Sequence, residues 1–203
     1  AQRSRDDLLV ARTQASEAQE RIIALQAELE ETSRLMRHDQ LTGALNRRGL
    51  EEMFQKEAAR AQRRGCGLAV ALLDIDHFKK LNDTHGHKAG DDALVHLARI
   101  VRQHLRPQDV LARYGGEEFV ILLPETGGSD AQQALTRLQR ELTREFFMAD
   151  KQKLLITFSA GVTPLGDGEP LEAALQRADA AMYQAKQAGR NRVVVAPLPA
   201  ANT

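Results

Sequence analysis

The feature that most constrains the fold is a pair of glycines between two short runs rich in branched residues. The runs are 109–112 and 120–123, and Gly115-Gly116 lies between them. Glycine accepts the positive φ angles that tight two-residue turns require. The pattern therefore predicts a β-hairpin that turns at the glycines.

Two glutamates, Glu117 and Glu118, stand at the tip of this hairpin, where turn chemistry does not ask for acidic residues. Successive strand side chains point to opposite faces, so we expect the two carboxylates to have different roles. Glycines also let a ligand approach the backbone closely, which makes the tip a candidate place for a phosphate and a metal ion to meet. A plain charged turn is the alternative that the hairpin alone leaves open.

A second feature is a buried-strand pattern that ends in carboxylates. Residues 68–76 form a continuous apolar run that closes with Asp74 and Asp76. A strand buried on both faces has this composition, and ligands of open α/β sheets bind at the carboxyl ends of strands. Asp74 and Asp76 are therefore candidate ligand-binding residues, with capping of the following helix as the alternative.

The rest of the globular part alternates helix and strand patterns. We place this domain at 38–196, followed by a disordered tail at 197–203. The order β-α-β-β-α-β, then a further helix and strand, predicts an α/β (α+β) fold with a split βαβ core and an antiparallel-containing sheet with helices on one face. The other predicted elements are helices 50–64, 91–105 with Asp91 as N-cap, 129–147 and 170–188, and strands 154–162 and 193–195.

A heptad repeat without Gly or Pro runs from Leu8 to Met36. It predicts a coiled coil over 1–37, and we favour a parallel homodimer. The alternative is a single amphipathic helix packed on its own domain, although a helix of roughly 50 Å is long for that. Three alanines and a threonine make the core thin. The a positions are Leu8, Ala15, Ile22, Leu29 and Met36, and the d positions are Ala11, Ala18, Leu25 and Thr32.

Composition excludes several classes of partner and site. Lys+Arg and Asp+Glu both number 28, so there is no basic footprint for a nucleic-acid polymer. The single cysteine, Cys66, rules out a disulfide framework within the chain. No apolar run approaches the ~20 residues of a membrane span, so we expect no membrane contact within this fragment. We expect a cytoplasmic location, with a missing upstream part that could be membrane-anchored.

Five segments, in this order and spacing, closely resemble the GGDEF family of diguanylate cyclases, with Glu117 in place of the family's aspartate. The resemblance covers roughly 39–195. It implies a palm-like nucleotide cyclase core, a split βαββαβ unit whose central sheet is surrounded by helices, preceded here by the long N-terminal helix. The segments are Asp39 to Arg48, Asp74-Ile75-Asp76-His77-Phe78-Lys79, Asn82 to Asp91, Gly115-Gly116-Glu117-Glu118-Phe119, and Ala185 to Asn191.

The resemblance implies an enzyme that condenses two GTP molecules into cyclic di-GMP with loss of two pyrophosphates. Each protomer would hold one GTP and face its partner. Two Mg²⁺ (or Mn²⁺) ions per active site would be held by Asp74, the backbone carbonyl of Ile75 and Glu117, and hard oxygen ligands suit these ions. Glu118 would join Asp74 and Glu117 as a catalytic residue, with a plain strand residue at the hairpin edge as its alternative.

The resemblance also implies a set of substrate contacts. Asn82 and Asp91 would bind guanine, whose N1–H and exocyclic amine are donors that suit an acidic acceptor. Lys186 and Arg190 are four apart and would share one helical face. The residues implied for binding phosphates and substrate are Phe78 through its backbone amide, Lys79, Gly115, Gly116, Lys186 and Arg190.

An Arg-x-x-Asp pattern, Arg106 to Asp109, lies five residues before Gly115. The family's product-binding inhibitory site has this pattern at this offset, so the resemblance implies inhibition by cyclic di-GMP. A basic helix end followed by a turn aspartate is the alternative.

Three rival functions stay open. The first is a catalytically idle module that binds nucleotide and relays a signal, whose usual sign would be the loss of Asp74, Glu117 or the glycines. The second is an enzyme that makes adenine-containing cyclic dinucleotides, which the acidic Asp91 disfavours. The third is a pure coiled-coil scaffold, which would not need the carboxylates.

Overall fold

The structure is a computed structural model that describes residues 2–149 and 152–198. The chain divides into two compact units, Ala1–Met36 and Arg37–Thr203. Most of the tail predicted to be disordered, residues 199–203, lies outside the described residues. No helix of the described ranges combines the length and apolarity needed to cross a membrane.

The first unit is a single long helix, α1 (Gln2–Arg37). Four apolar side chains of the heptad are exposed, Ile22 at 49%, Leu25 at 57%, Leu29 at 69% and Met36 at 52%. The side chains of Leu8, Ala11 and Ala15, at the start of the repeat, lie outside the described ones. The helix therefore presents an apolar stripe to solvent over its described part, and the coiled coil stays a prediction.

The second unit is a layered α/β domain. Its helices within the described residues are α2 (Arg47–Arg64), α3 (Phe78–His104), α4 (Gly128–Arg144) and α5 (Leu171–Gln187). Its strands are β1 (Leu68–Ile75), β2 (Val110–Gly115), β3 (Glu118–Pro124), β4 (Phe147–Ala149), β5 (Gln152–Leu154), β6 (Phe158–Pro164) and β7 (Val193–Val195).

The main sheet, as far as the described residues show it, has the strand order β2-β3-β1-β6-β7. Strand β1 pairs antiparallel with both β3 and β6, and β7 pairs parallel with β6. The predicted βαββαβ order is confirmed, as is the hairpin of β2 and β3. A small additional hairpin of β4 and β5 stands apart from the main sheet.

Strand β1 is the centre of the domain, and all eight of its residues are buried. Ala69, Ala71 and Leu73 belong to a core that includes residues of α3 and α4, whereas Val70 and Leu72 belong to a second core that includes residues of α2 and α5. Side chains alternate along a strand, so each face of the sheet needs its own helical layer. The prediction of helices on one face was wrong, and the family's surrounding helices are the correct description.

Several predicted boundaries differ from the structure. Asp91 is not an N-cap, because α3 continues across Gly86, whose φ of 82° and ψ of 164° interrupt the helix for one residue. The predicted helix 129–147 ends at Arg144, and the predicted strand 154–162 begins only at Phe158. The β4–β5 hairpin occupies the region between them, and its three-residue strands are too short to give a clear alternating pattern.

Both outer strands of the sheet carry additional contacts along their edges. Leu45 forms a parallel bridge with Ala112 of β2, in which the Leu45 amide donates to the Leu111 carbonyl at 3.0 Å. On the opposite edge, the Gln132 side chain of α4 donates to the Val193 carbonyl of β7 at 3.1 Å. Polar groups that an edge strand would otherwise expose are thus partly satisfied.

Helix α5 packs closely against β6 at Gly161, a strand residue that has no side chain to separate the two elements. A Cβ atom at this position would overlap the carbonyl oxygen of Ala178 and crowd the amide of Met182. Because both obstacles are helix backbone, neither can move aside by a rotamer change. The bare glycine therefore sets the distance between the sheet and the helix that carries Lys186.

We predict that Gly161→Ala lowers the free energy of unfolding by about 3 kcal/mol, because overpacking against backbone forces α5 away from the sheet. Urea denaturation followed by circular dichroism measures this. Gly127→Ala is the matched control, since a Cβ there meets nothing within 4 Å, and the loss of the glycine N-cap of α4 should cost about 1 kcal/mol or less. Equal stability of the two variants would contradict the close approach.

Candidate active site

The end of β1 and the hairpin tip bring acidic side chains together. Asp74 is the register partner of Glu118 across the β1–β3 ladder, and Glu118 is also paired with Gly115 of β2. Residues directly opposite in an antiparallel pair point to the same face, so these two carboxylates share the α5 side of the sheet. Glu117 follows Gly116 at the turn and is half-buried.

Helix α5 supplies a positive charge to this acidic group. The Lys186 ammonium lies 3.0 Å from Asp74 Oδ1, and the Asp74 side chain is only 11% exposed. Burial raises the pKa of Asp74 above its usual value, and the hydrogen bond and charge of Lys186 oppose this. The ion pair therefore keeps a nearly buried carboxylate compatible with the core.

The remaining carboxylates repel one another. Burial and then the charge of Asp74 raise the pKa of Glu117, and the same two causes raise the pKa of Glu118. A concentration of negative charge that one ammonium does not offset favours the binding of a further cation. The oxygen donors present are those that Mg²⁺ prefers.

The described residues contain no group of three or more His, Cys, Asp or Glu side chains that could hold a metal by themselves. Mg²⁺ is usually bound by one or two carboxylates together with phosphates and water. The carboxylates of Asp74 and Glu117 and the carbonyl of Ile75 at the end of β1 are oxygen donors of the type that such an ion takes beside a phosphate ligand.

The first turn of α3 follows directly after this acidic group. Phe78 is its first residue and is buried, whereas Lys79 is exposed. The N-cap is His77, which has a left-handed φ of 59° and makes no side-chain cap bond within the described part. Amides of the first helical turn lack intrahelical acceptors and carry the positive end of the helix dipole, so they suit an anion.

Asn82 lies one turn further along α3. Its side-chain Oδ1 is buried and has no hydrogen-bond partner in the described ranges. A Cβ atom at Gly90 would overlap this oxygen and crowd the Phe78 ring. Gly90 therefore leaves the space that the Asn82 amide occupies, and Asp91 follows it as an exposed residue of the helix interior.

Lys186 and Arg190 do not share a helical face, contrary to the prediction. Helix α5 ends at Gln187 with Ala188 as C-cap, and Gly189 follows with a φ of 110°. Arg190 therefore lies beyond the helix, in a turn with a φ of 63°. Its charge still acts on Asp74: burial raises the pKa of that carboxyl, and Arg190 is among the groups that oppose the rise.

The hairpin tip is held by Arg113, a residue that sequence reasoning did not assign. Its Nε and Nη2 donate to the Gly116 carbonyl at 3.0 and 2.8 Å. Its Nη1 reaches both oxygens of Asp39, at 3.3 and 3.2 Å, and Asp39 also accepts from the amide and hydroxyl of Thr42. Among the described residues, the Arg113 side chain thus links the segment that follows α1 to the tip. The only signal in the sequence was the Asp39-to-Thr42 spacing, which suits a local turn.

Asp76, like Asp74, was predicted to bind a ligand. Capping of α3 was its alternative, yet the carboxylate instead accepts from Thr157 and Ser159 on the β6 side and from the Asn191 amide. Two hydroxyl residues at the start of a strand were the only signal for this contact.

The Arg106–Asp109 segment lies away from the acidic group. Asp109 immediately precedes β2 and Gly115 ends it, so roughly 20 Å of strand separates them. The Arg106 amide donates to Asp109 Oδ2 at 2.9 Å, and the Asp109 amide donates back to the Arg106 carbonyl at 3.0 Å. The Arg106 side chain is exposed and borders a cleft of about 500 Å³ that Arg137 and Arg140 also line.

Comparison with known proteins identifies the family. Residues 36–192 match the family described as diguanylate cyclase, GGDEF domain. The chain is 45% identical to the diguanylate cyclase DgcP of Pseudomonas aeruginosa over 173 residues, which are 85% of this chain and 26% of DgcP. It is 41% identical to the response regulator PleD of Caulobacter vibrioides over 159 residues, which are 77% of this chain and 35% of PleD. The chain thus spans about a quarter to a third of the length of these curated relatives.

A similar solved structure includes a helical segment as well as the domain. The crystal structure of the coiled coil and GGDEF domain of DgcB from Caulobacter crescentus, in complex with c-di-GMP, superposes with a TM-score of 0.83. The two chains are 31% identical, and the match covers 91% of this chain and 98% of that one.

We predict that Arg113→Ala loosens the hairpin tip, because the Gly116 carbonyl loses both donors and Asp39 loses its cation. Amide hydrogen exchange of the peptide covering 113–119 should become about tenfold faster, which corresponds to about 1.4 kcal/mol of lost protection. Arg63→Ala, at the exposed end of α2, should leave this peptide unchanged. If the two variants exchange alike at the tip, Arg113 does not hold it.

Proposed function

Because the chain belongs to the GGDEF family of diguanylate cyclases, we propose that it condenses two GTP molecules into cyclic di-GMP and two pyrophosphates. One observation carries this proposal: Asp74 and Glu118 are register partners, with Glu117 beside them at the tip and Lys186 within 3.0 Å of Asp74. An idle module would have no need to keep so much negative charge at the end of a buried strand.

The acidic group is where two Mg²⁺ or Mn²⁺ ions would be held, by Asp74, the Ile75 carbonyl and Glu117. When bound, such ions lower the pKa of an attacking 3′-hydroxyl and neutralise charge on the departing pyrophosphate. The raised pKa values of Glu117 and Glu118, caused by burial and by Asp74, support a site that gains from a further cation. Glu118 faces Asp74 directly and would contribute to the negative field that retains the ions.

The triphosphate would lie between the hairpin and the two adjacent helix ends. The Phe78 amide and its neighbours in the uncapped first turn of α3 would bind phosphate oxygens, and Lys79 would add a mobile charge. Lys186 and Arg190 would approach the phosphates from the end of α5. Gly115 and Gly116 carry no side chains, so the substrate can approach the hairpin backbone.

The guanine base would be recognised on α3 by acceptors that match its donors. The unpartnered Oδ1 of Asn82 is available within the described residues, and Asp91 offers an exposed carboxylate one turn beyond the kink. An unsatisfied buried acceptor costs free energy that a guanine N–H would recover. Adenine has no donor at N1, so this arrangement favours GTP.

The reaction requires two substrate-loaded domains, because each 3′-hydroxyl attacks the α-phosphorus of the other GTP. We assign the pairing of the domains to a homodimer formed through α1. The exposed apolar side chains Ile22, Leu25 and Leu29 of its heptad support this, since a second helix would cover them. Because GTP is a cytoplasmic nucleotide, we assign the domain to the cytoplasm.

We predict that Glu117→Gln reduces cyclic di-GMP formation about a hundredfold or more, because removal of a charge that stabilises the metal-bound transition state typically has effects of this size. Products from GTP or ATP with Mg²⁺ are identified by mass spectrometry. Glu172→Gln, an exposed change at the other end of α5, should retain full activity and the same melting temperature. Normal turnover by Glu117→Gln would refute the assignment, as would ATP products from the parent.

We assign a feedback role to Arg106 and Asp109. A guanidinium can meet both a phosphodiester and a guanine edge, and Arg106 is exposed next to a cleft that contains two further arginines. The Asp109 carboxylate lies in the same turn as Arg106 and would accept from a guanine N1–H. Since this segment is remote from Asp74, bound product would act without occupying the active site.

We predict that Arg106→Ala leaves the initial rate near that of the parent and removes the slowing that follows product accumulation. Progress curves with added cyclic di-GMP measure this, and inhibition of the parent should be non-competitive with GTP. Gln108→Ala, in the same turn, should remain inhibited. If Arg106→Ala stalls at the same product level as the parent, the segment is only a turn.

A further inference from the structure

Asp76 is fully engaged with groups from two other parts of the chain. Its Oδ1 accepts from the Ser159 hydroxyl at 2.6 Å, and its Oδ2 accepts from the Thr157 hydroxyl at 2.8 Å. Oδ2 also accepts from the Asn191 amide at 3.0 Å, and the Asp76 amide donates to the Thr157 carbonyl at 2.9 Å. Both carboxylate oxygens are thus already bound by protein donors, which leaves them poorly suited to serve as metal ligands.

The segment that Asp76 reaches has an unfavourable backbone. Gly189, Arg190 and Asn191 have φ values of 110°, 63° and 45°, so three successive residues are left-handed. For residues with a Cβ atom this conformation is sterically costly, and asparagine tolerates it better than arginine. The turn therefore persists only because bonds from its surroundings hold it.

Hydrogen bonds of backbone groups attach the turn that contains Arg190 to three other parts of the domain. The Arg190 amide donates to the Ala185 carbonyl at 3.0 Å, which closes the end of α5, and the Arg192 carbonyl accepts from Ala160. The bond from the Asn191 amide to Asp76 joins the residue after Arg190 to the end of β1, next to the candidate active site. It is a bond to a carboxylate, the stronger class of hydrogen bond.

We propose that Asp76 is a positioning residue that aims Arg190 at the phosphates of the bound nucleoside triphosphate. Thr157 and Ser159 fix the carboxylate, the carboxylate fixes the Asn191 amide, and the amide fixes the turn that presents Arg190. This proposal rests on the proposed function for the identity of the substrate. It gives Asp76, the residue directly after β1, a role distinct from that of Asp74, which faces Lys186 and the hairpin.

A double-mutant cycle tests whether Asp76 acts through Arg190. Asp76→Asn, Arg190→Ala and the double variant are compared in the full chain for kcat and KM with GTP. We expect each single change to raise KM about tenfold with kcat within about threefold of the parent, and the double variant to be no worse than Arg190→Ala. The control Asp83→Asn, exposed on α3, should match the parent. Multiplying effects in the double variant, or a higher Mg²⁺ requirement for Asp76→Asn, would overturn the proposal in favour of a metal role.

A second measurement does not depend on turnover. Calorimetric titration with Mg²⁺-pyrophosphate should give about tenfold weaker binding for Asp76→Asn, and hydrogen exchange of the peptide covering 185–192 should be faster. Thr157→Val, which removes one donor at nearly constant volume, should shift both readouts in the same direction and serves if Asp76→Asn does not fold. If the parent makes no cyclic di-GMP, the proposed function fails while these readouts still test Asp76. Unchanged pyrophosphate binding and exchange in both variants would refute the positioning role.

Discussion

The pairing of β1 on both of its edges is the constraint on which the rest of the structure depends. Because β3 and β6 flank it and helices cover both faces, every residue of β1 is buried and its register is fixed. The alternation that sends Val70 and Leu72 toward the α2 and α5 layer sends Asp74 to the same side. A slip of one residue would turn Asp74 toward the other core and separate it from Glu118 and Lys186. The positions of the acidic side chains at the site therefore depend on the register of the sheet.

Burial of the charged carboxylates destabilises the folded state, and α5 offsets part of this destabilisation through Lys186. Burial disfavours the charged form of Asp74, and the proximity of Lys186, with a smaller contribution from Arg190, favours it at 11% exposure. That proximity depends on α5 lying close to β6, which the bare Gly161 permits. A residue on the strand behind the helix thus contributes to the electrostatics of the site without touching it.

Sequence reasoning succeeded for features that the local residue pattern determines, and it failed for features that depend on tertiary contacts. The hairpin, the buried β1 and the βαββαβ order of elements along the chain followed from apolar runs and a glycine pair. The N-cap assignment of Asp91 failed because a single glycine, Gly86, only interrupts α3, and the shared face of Lys186 and Arg190 failed because Gly189 ends α5 first. The bonds of Asp76 to residues 81 and 83 positions away had no local signature. The resemblance to the family implied a set of substrate-binding residues, but it did not indicate which residues hold them in place.

The contacts along the two edges of the main sheet limit one way in which this protein could associate, the addition of a further strand. Leu45 forms a backbone bridge on the outer side of β2, and the Gln132 side chain donates a hydrogen bond to the carbonyl of Val193 on the three-residue β7. A neighbouring chain consequently finds fewer unpaired backbone groups on which to add a strand, which disfavours growth into β-aggregates at both edges of the sheet. The domain is thereby protected against irreversible aggregation by strand addition.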